Sequence, residues 1–262
     1  MAAPIITLTT DFGDADHYVA CMKGVILGRC PDARIIDACH TLRPQDVVHA
    51  AFILRRIIEH FPSDTIHIAV VDPGVGTTRR ILAARYNGQL VLAPDNGLVS
   101  LVHSDFAIEA LHEVRNAGLF RSEVSTTFHG RDIFAPVAAA LAAGTSLEDA
   151  GPPTEKLEIL HLERPTVLPD KSVEGQVLYI DRYGNLITNI PAREVPPRTA
   201  GKPTLVFVGA QRAGPLRAAY AEVGPGEVVA MIGSSRMLEV AVNQGDAAAQ
   251  LRAAPGTVVL VR

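Results

Sequence analysis

Tryptophan is absent, aromatic residues make up only 5% of the chain, and cysteine occurs three times. Cys21, Cys30 and Cys39 form an odd set at an even spacing of nine, which matches neither a zinc knuckle nor a CxxC redox pair. A reducing cytoplasm is the expected location. No run of like charges reaches five, and 24 Lys+Arg stand against 28 Asp+Glu for a net charge of −4. That leaves no footprint for a polyanion and excludes nucleic acid as a partner. No window reaches the roughly eighteen uninterrupted apolar residues of a membrane span. The opening Met1-Ala-Ala-Pro-Ile-Ile-Thr-Leu has no basic segment ahead of a long apolar one, so a soluble, unprocessed protein with no membrane partner is expected. No period of about 20–50 residues recurs, which sets aside repeat architectures.

What is present is apolar substance: 262 residues, 48% of them hydrophobic, can bury a large core without metal or disulfide staples. Residues 5–8 (IITL) read as a strand, followed by the loop Thr9–Asp14 and helical spacing from Tyr18 to Leu27. The unit recurs: residues 33–40 read as a strand, Pro44 opens a helical pattern through Ile58, and residues 65–72 (TIHIAVVD) form an apolar strand ending on an aspartate. Such alternation predicts a mostly parallel sheet flanked by helices. Asn87-Gly88 joins two extended runs over 81–93 as a hairpin, and Asp132–Ala143 reads as an Ala-rich helix stopped by Gly144. The stretch 151–170 holds four prolines and no strong period. The expected division is an N-terminal α/β domain at 1–164, a linker at 165–172 and a smaller C-terminal antiparallel β-barrel at 173–262, built from short runs such as VEGQVLYID, NLITNI and LEVAVN.

In open α/β sheets ligands sit beyond the carboxyl ends of the strands, where this chain places Asp11, His40 and Asp72. Each alone is as well explained by turn chemistry. Asp11, Asp14 and Asp16 fit either a hard cation or, for Asp11, a ribose diol, whereas Asp14 and Asp16 also fit helix capping and the charge preference of a helix N-terminus. The segment VVDPGVGTTRR (70–80) lacks the third glycine of a dinucleotide fingerprint and the lysine of a P-loop, but sets Asp72 and Arg79 seven residues apart across a tight turn, where they can pair. His129 lies in a loop of small residues leading into the Ala-rich helix, a place from which an imidazole can reach a cleft.

Taken together, TTDFGDADHYVACMKG (9–24), DACHTLRPQDV (37–47), VVDPGVGTTRR (70–80), APDNGL (93–98), TFHGRDIFAPVAA (127–139), IDRYGNLITNI (180–190) and SSRMLEVAVNQG (234–245) resemble the S-adenosyl-L-methionine hydroxide adenosyltransferases, the family that also contains the fluorinases and chlorinases. The resemblance covers both domains in order. It implies hydrolysis of S-adenosylmethionine to adenosine and L-methionine, with water as the nucleophile and with neither metal nor cofactor. The catalytic set it implies is Asp72, Arg79 and His129; the fluorinases carry a tyrosine in place of Asp72 and Tyr-Ser in place of His129-Gly130. Gly130 alone resembles the chlorinases, but an acidic Asp72 repels a halide and suits water.

By the same resemblance Asp11 holds the ribose hydroxyls, Phe128 and Tyr183 lie near the nucleoside, Asn185 meets the adenine edge, and Asp181, Ser235 and Arg236 receive the methionine amino and carboxylate groups. A tryptophan that packs on the ligand in the fluorinase is Gln45 here. The family is typically trimeric, which implies a homotrimer with intersubunit active sites. Two other readings stay open on residues alone: a calcium-dependent nucleoside N-glycosidase, suggested by the aspartates after the first strand, and a sensor that binds S-adenosylmethionine or adenosine without turnover. The first lacks an adjacent Asp-Asp pair; the intact Asp72, Arg79 and His129 set argues against the second.

Overall fold

In the computed structural model, which describes residues 3–196 and 203–262, the chain divides into two compact units, Met1–Leu160 and His161–Arg262. Met1 and Ala2 of the opening segment lie outside the described residues.

The first unit runs β1 (Ile5–Thr10), α1 (Tyr18–Arg29), β2 (Arg34–Cys39), α2 (Val47–Ile58), β3 (Ile66–Val70), β4 (Ile81–Tyr86), β5 (Gln89–Pro94), α3 (Ser100–Asp105) and β6 (Ile108–Glu113). A π-helical turn at Gly130–Phe134, α4 (Ala135–Ala142) and α5 (Leu147–Ala150) complete it. The six strands form one sheet in the order β2-β1-β3-β5-β4-β6. The first four are parallel; β4 joins β5 antiparallel at one edge, and β6 pairs antiparallel with β4 and so runs in the direction of the first four.

Alternation along the strands explains why both faces are covered. Ile66, Ile68, Val70, Ala83 and Leu92 pack with Met22 and Ile26 of α1, Phe134 of the π-helical turn and Val137 of α4. Their neighbours Ala69, Val71, Leu82, Ala84 and Val91 pack with Leu54 and Ile58 of α2 and Val102 of α3. A strand with both faces buried must be apolar at nearly every position, which is how β3 reads.

The hairpin between β4 and β5 turns at Asn87 and Gly88 with φ of 50° and 69°, the doubly left-handed turn that suits the twist of two strands. Pro44 does not open α2: the helix starts at Val47, and the Asp46 side chain caps it by accepting the His49 N–H at 2.9 Å. Nor do Asp14 and Asp16 cap α1, because its first turn begins at Tyr18, His17 occupies the cap position without a side-chain bond, and both carboxylates are left exposed.

The second unit runs β7 (Thr166–Val167), β8 (Val173–Ile180), β9 (Leu186–Pro191), β10 (Leu205–Val208), β11 (Gln211–Arg217), β12 (Val228–Ile232), β13 (Met237–Val242), α6 (Ala247–Leu251) and β14 (Val258–Val261). The strand order β14-β10-β11-β12-β13-β9-β8 closes on itself through β14–β8, giving a seven-strand barrel, and β7 adds to β8 from within the stretch expected as linker. One pairing departs from the antiparallel expectation, since β11 and β12 run parallel. A connection through Tyr220–Glu222 returns the chain to the same end before β12 begins. The barrel is filled by inward residues such as Val177, Leu186, Val206, Val240 and Val261.

Candidate active site

The sheet of the first unit has a topological switch. From β1 the chain goes to β2 on one side, then returns to place β3 on the other, so the connections leaving β1 and β3 diverge and open a crevice at their carboxyl ends. Thr10 pairs with Val70 at that end, and just beyond them Asp11, one residue on, and Asp72, two residues on, line a cleft of about 430 Å³. Phe128 and His129 close it from the loop that leads into α4. Asp11, Asp72, Phe128 and His129 are therefore brought to one place, and Arg79 reaches two of them.

After β3 the chain turns sharply, with Val75 N–H donating to the Asp72 carbonyl at 3.2 Å and Thr77 N–H to that of Gly74 at 3.2 Å. Gly76 takes φ of +79°, and a Cβ there would lie 2.4 Å from the Thr126 carbonyl oxygen, so only glycine lets this turn press against the His129 loop. Arg79 folds back across the turn: its Nε lies 2.8 Å from each oxygen of Asp72, and its Nη2 donates to Oδ2. The same Nη2 donates to His129 Nδ1 at 2.8 Å. The pair is almost dry, with side-chain exposures of 4% for Asp72 and 9% for Arg79. A charge-assisted fork of this kind fixes both partners in direction as well as distance.

Arginine only donates, so Nδ1 of His129 offers its lone pair and the neutral ring carries its hydrogen on Nε2. Burial, and then the adjacent Arg79 charge, hold the imidazole below its ordinary pKa despite the opposing fields of Asp72 and Asp132. The three side chains thus form one directed unit: Asp72 accepting at one end, Arg79 between, and an imidazole N–H at the far end.

The loop that carries His129 is tied down by a residue that sequence reasoning missed. Asp132 is fully buried and accepts from Arg131 Nε at 2.6 Å and Nη2 at 2.9 Å, from Arg121 Nη1 at 3.1 Å and from Ser125 N–H at 2.9 Å. Burial alone would raise its pKa; these hydrogen bonds, that of Arg131 first, overcome it and hold the carboxyl below its ordinary value. Arg131 in turn lies over the Phe128 ring at 4.9 Å. Phe12 and Tyr18 were likewise missed. They meet Phe128 edge to face at 5.9 and 5.1 Å, giving the cleft an aromatic wall. The adjacency of Phe12 to Asp11 was the available signal. Asp11 itself is held by Gln45, whose N–H donates to Oδ2 at 2.8 Å from a backbone at φ of 67°.

The remaining sequence candidates lie in the barrel unit. Asp181 builds the turn before β9: its Oδ1 accepts from the N–H groups of Tyr183 and Asn185 at 2.8 and 2.9 Å, and its Oδ2 from Asn185 Nδ2 at 2.9 Å. Tyr183, 78% exposed, and the buried Asn185 line a separate cleft of about 490 Å³ with Tyr220 and Gln244. Ser235 and Arg236 lie on the turn between β12 and β13, where the Arg236 carbonyl accepts from Ala192 N–H just past the other end of β9. Within this unit they are not brought into the cleft that holds Asn185. Tyr220 and Glu239 were not foreseen: the tyrosine hydroxyl donates to the buried glutamate at 2.5 Å, and burial pushes the glutamate pKa up.

Among the described residues no three His, Cys, Asp or Glu side chains are grouped as metal ligands. His40 is a buried hydrogen-bonded residue of the β1–β2 edge and does not line the cleft.

The comparisons with known proteins agree in both units. Residues 6–151 match the SAM hydroxide adenosyltransferase N-terminal domain, and residues 175–260 match the C-terminal domain of the same family. The chain is 38% identical to the (R)-S-adenosyl-L-methionine hydrolase of Salinispora tropica, over 97% of this chain and 95% of the relative. It is 40% identical to the enzyme of the same name from Thermus thermophilus, over 91% of each. Among solved structures, that of an uncharacterized conserved protein from Thermotoga maritima superposes with a TM-score of 0.90 at 36% identity, covering 98% of this chain and 99% of that one.

Proposed function

The chain belongs to the SAM hydroxide adenosyltransferase family, and from that premise we propose that it hydrolyses S-adenosyl-L-methionine to adenosine and L-methionine. The observation that carries this reading is the contact of Asp72, Arg79 and His129 at the carboxyl ends of the strands, on one wall of a cleft whose other wall is aromatic.

The chemistry fits these groups. Water attacks the ribose 5′ carbon; a C–O bond forms, the C–S bond breaks with its electron pair moving to sulfur, and the sulfonium leaves as a neutral thioether that needs no acid. The difficult part is alignment of a weak nucleophile behind the carbon. His129 Nε2–H donates to the water and fixes its direction. Its other nitrogen is occupied by Arg79, so the proton passes to Asp72, whose oxygens keep lone pairs free after accepting from Arg79. Asp72 then releases the proton to solvent. A carboxylate at this position repels halide, which separates water from chloride as nucleophile. Phe128, with Phe12 and Tyr18, offers ring faces to the sulfonium cation in place of water, and Asp11 takes the ribose hydroxyls.

No metal or cofactor enters this scheme. Asp181, Tyr183, Asn185, Ser235 and Arg236 are assigned to the nucleoside and methionine ends, and a homotrimer with sites completed across subunits accounts for their place in the barrel unit. No described helix is long and apolar enough to cross a membrane; the three unpaired cysteines support a reducing, cytoplasmic location.

The test is incubation of purified protein with S-adenosylmethionine, with and without chelator and excess chloride, with products separated by chromatography. Equal adenosine and methionine, unaffected by either addition, is the expected result. A 5′-chlorinated nucleoside, loss of activity with chelator, or intact substrate would overturn the proposal.

A further inference from the structure

His40 does not reach the cleft, yet both of its ring nitrogens are engaged within a chain of bonds that ends there. It is 7% exposed. Nδ1 lies 2.8 Å from the Thr10 hydroxyl and Nε2 lies 3.0 Å from Asp37 Oδ1, while Lys23 Nζ donates to the other Asp37 oxygen at 2.6 Å. The direction of the chain is set by its ends. Partial burial would raise the Asp37 pKa, but the hydrogen bonds from Lys23 and His40 outweigh it and hold the carboxyl below its ordinary value. An ionised carboxylate only accepts, so Nε2 carries the ring hydrogen. At the other end Thr10 is wholly buried and its oxygen accepts the Phe12 N–H at 3.3 Å. Its own proton goes to Nδ1. The opposite polarity, with Nδ1 donating, strands that hydroxyl proton in a dry site.

The main chain of His40 adds a second grip, its carbonyl accepting the Gly13 N–H at 2.8 Å. Thr10 and Gly13 are thereby both tied to His40, and the two residues between them, Asp11 and Phe12, are those that face the cleft.

We propose that His40 is a positioning residue for the reaction: acting through Thr10, it fixes the Asp11 carboxylate in the orientation that accepts both ribose hydroxyls, and so aims the 5′ carbon at Asp72 and His129. The proposal rests on the reading of Asp11 as the ribose ligand. His67 provides the contrast. It is even more deeply buried and is also doubly bonded, to Thr7 at 2.8 Å and Gln89 at 2.7 Å, but those partners lie within the sheet and not on the cleft loop.

The experiment measures, by calorimetry on the full chain, the affinity for adenosine relative to 2′,3′-dideoxyadenosine, together with kcat and KM for S-adenosylmethionine. Two hydrogen bonds to a charged acceptor predict a wild-type preference for adenosine of about a hundred- to ten-thousandfold, and Asp11→Ala removes it. His40→Leu and Thr10→Val are each expected to cut that preference by about tenfold and to lower kcat as well as raise KM. Their effects should not add in the double variant, because one bond serves both. His40→Asn, whose amide oxygen falls near the position of Nδ1, restores the preference, and His67→Asn leaves it intact. If His40→Leu and Thr10→Val keep the preference while Asp11→Ala loses it, His40 only packs and the proposal is wrong. An equal loss in His67→Asn assigns the effect to general loosening and overturns it too. If Asp11→Ala itself keeps the preference, the reading of Asp11 fails first and takes this inference with it.

Discussion

Replacing Arg79 by leucine strips the counter-charge from a carboxylate that is 4% exposed and leaves Asp72 two choices. It stays ionised without a partner in a dry turn, which costs about 3–5 kcal/mol for a broken buried pair. Or it takes a proton, which from an ordinary carboxyl pKa near 4 costs about 1.4 kcal/mol per pH unit, close to 4 kcal/mol at pH 7. The two bounds coincide, so a deficit of about 4 kcal/mol at neutral pH is expected. The second choice also fixes the pH dependence. In the variant the folded carboxyl has a pKa raised above its unfolded value, so the folded state holds a proton that the unfolded state lacks. The deficit therefore grows as pH rises above about 4 and shrinks by about 1.4 kcal/mol per unit on the way back down. Urea unfolding of the wild type and of Arg79→Leu at pH 5 and pH 7 measures it, and Arg79→Leu with Asp72→Asn should recover most of the loss at pH 7. An equal deficit at both pH values, or one below about 1 kcal/mol at pH 7, would refute the view that Arg79 neutralises a buried Asp72.

Other consequences are as direct. Asp72→Asn keeps the shape of the turn and removes the proton acceptor, so turnover should drop by about a hundredfold or more while adenosine affinity stays within about threefold; His129→Ala should do the same by loss of alignment. Gly76→Ala places a methyl group against the Thr126 carbonyl at a left-handed φ, and should cost about 2 kcal/mol or more and most of the activity, seen by thermal unfolding and product assay. Burial pushes the His67 imidazole down to about 4 despite its bond to Gln89. The unfolded chain then takes up that proton first, so stability is lost as pH falls from about 6.5 to about 4, by roughly 3 kcal/mol, and His67→Asn should flatten that slope.

Much of this was legible in the residues, and the failures have physical reasons. Strands buried on both faces and a doubly left-handed Asn-Gly turn leave strong local signals, and β1, β3 and the β4–β5 hairpin carry them. β11 does not, because Gly214 and Pro215 interrupt its apolar pattern while neighbouring strands hold it extended. α3, at six residues, is too short to show a period. The distance between Asp72 and Arg79 was readable because a tight turn closes it within the same segment. His129 joins them from fifty residues away, and only its resemblance to a known pattern placed it there. Asp132, the Phe12 and Tyr18 wall, and the bond from His40 to Thr10 are made across the fold between residues whose types are common in loops and cores, so no local pattern marks them. Asp14 and Asp16 show the converse: helix-capping chemistry two to four residues before a helix is a signal, and here the helix starts too late to use it.

The claim at the centre of the account is that Asp72 and His129, joined by Arg79, deliver water to the ribose 5′ carbon. The most direct measurement runs the reaction in heavy-oxygen water and locates the label by mass spectrometry of the intact nucleoside and its base. The account predicts one labelled oxygen per adenosine, confined to the ribose 5′ hydroxyl, with none in methionine. Unlabelled adenosine, free adenine, or a label elsewhere on the ribose would contradict it.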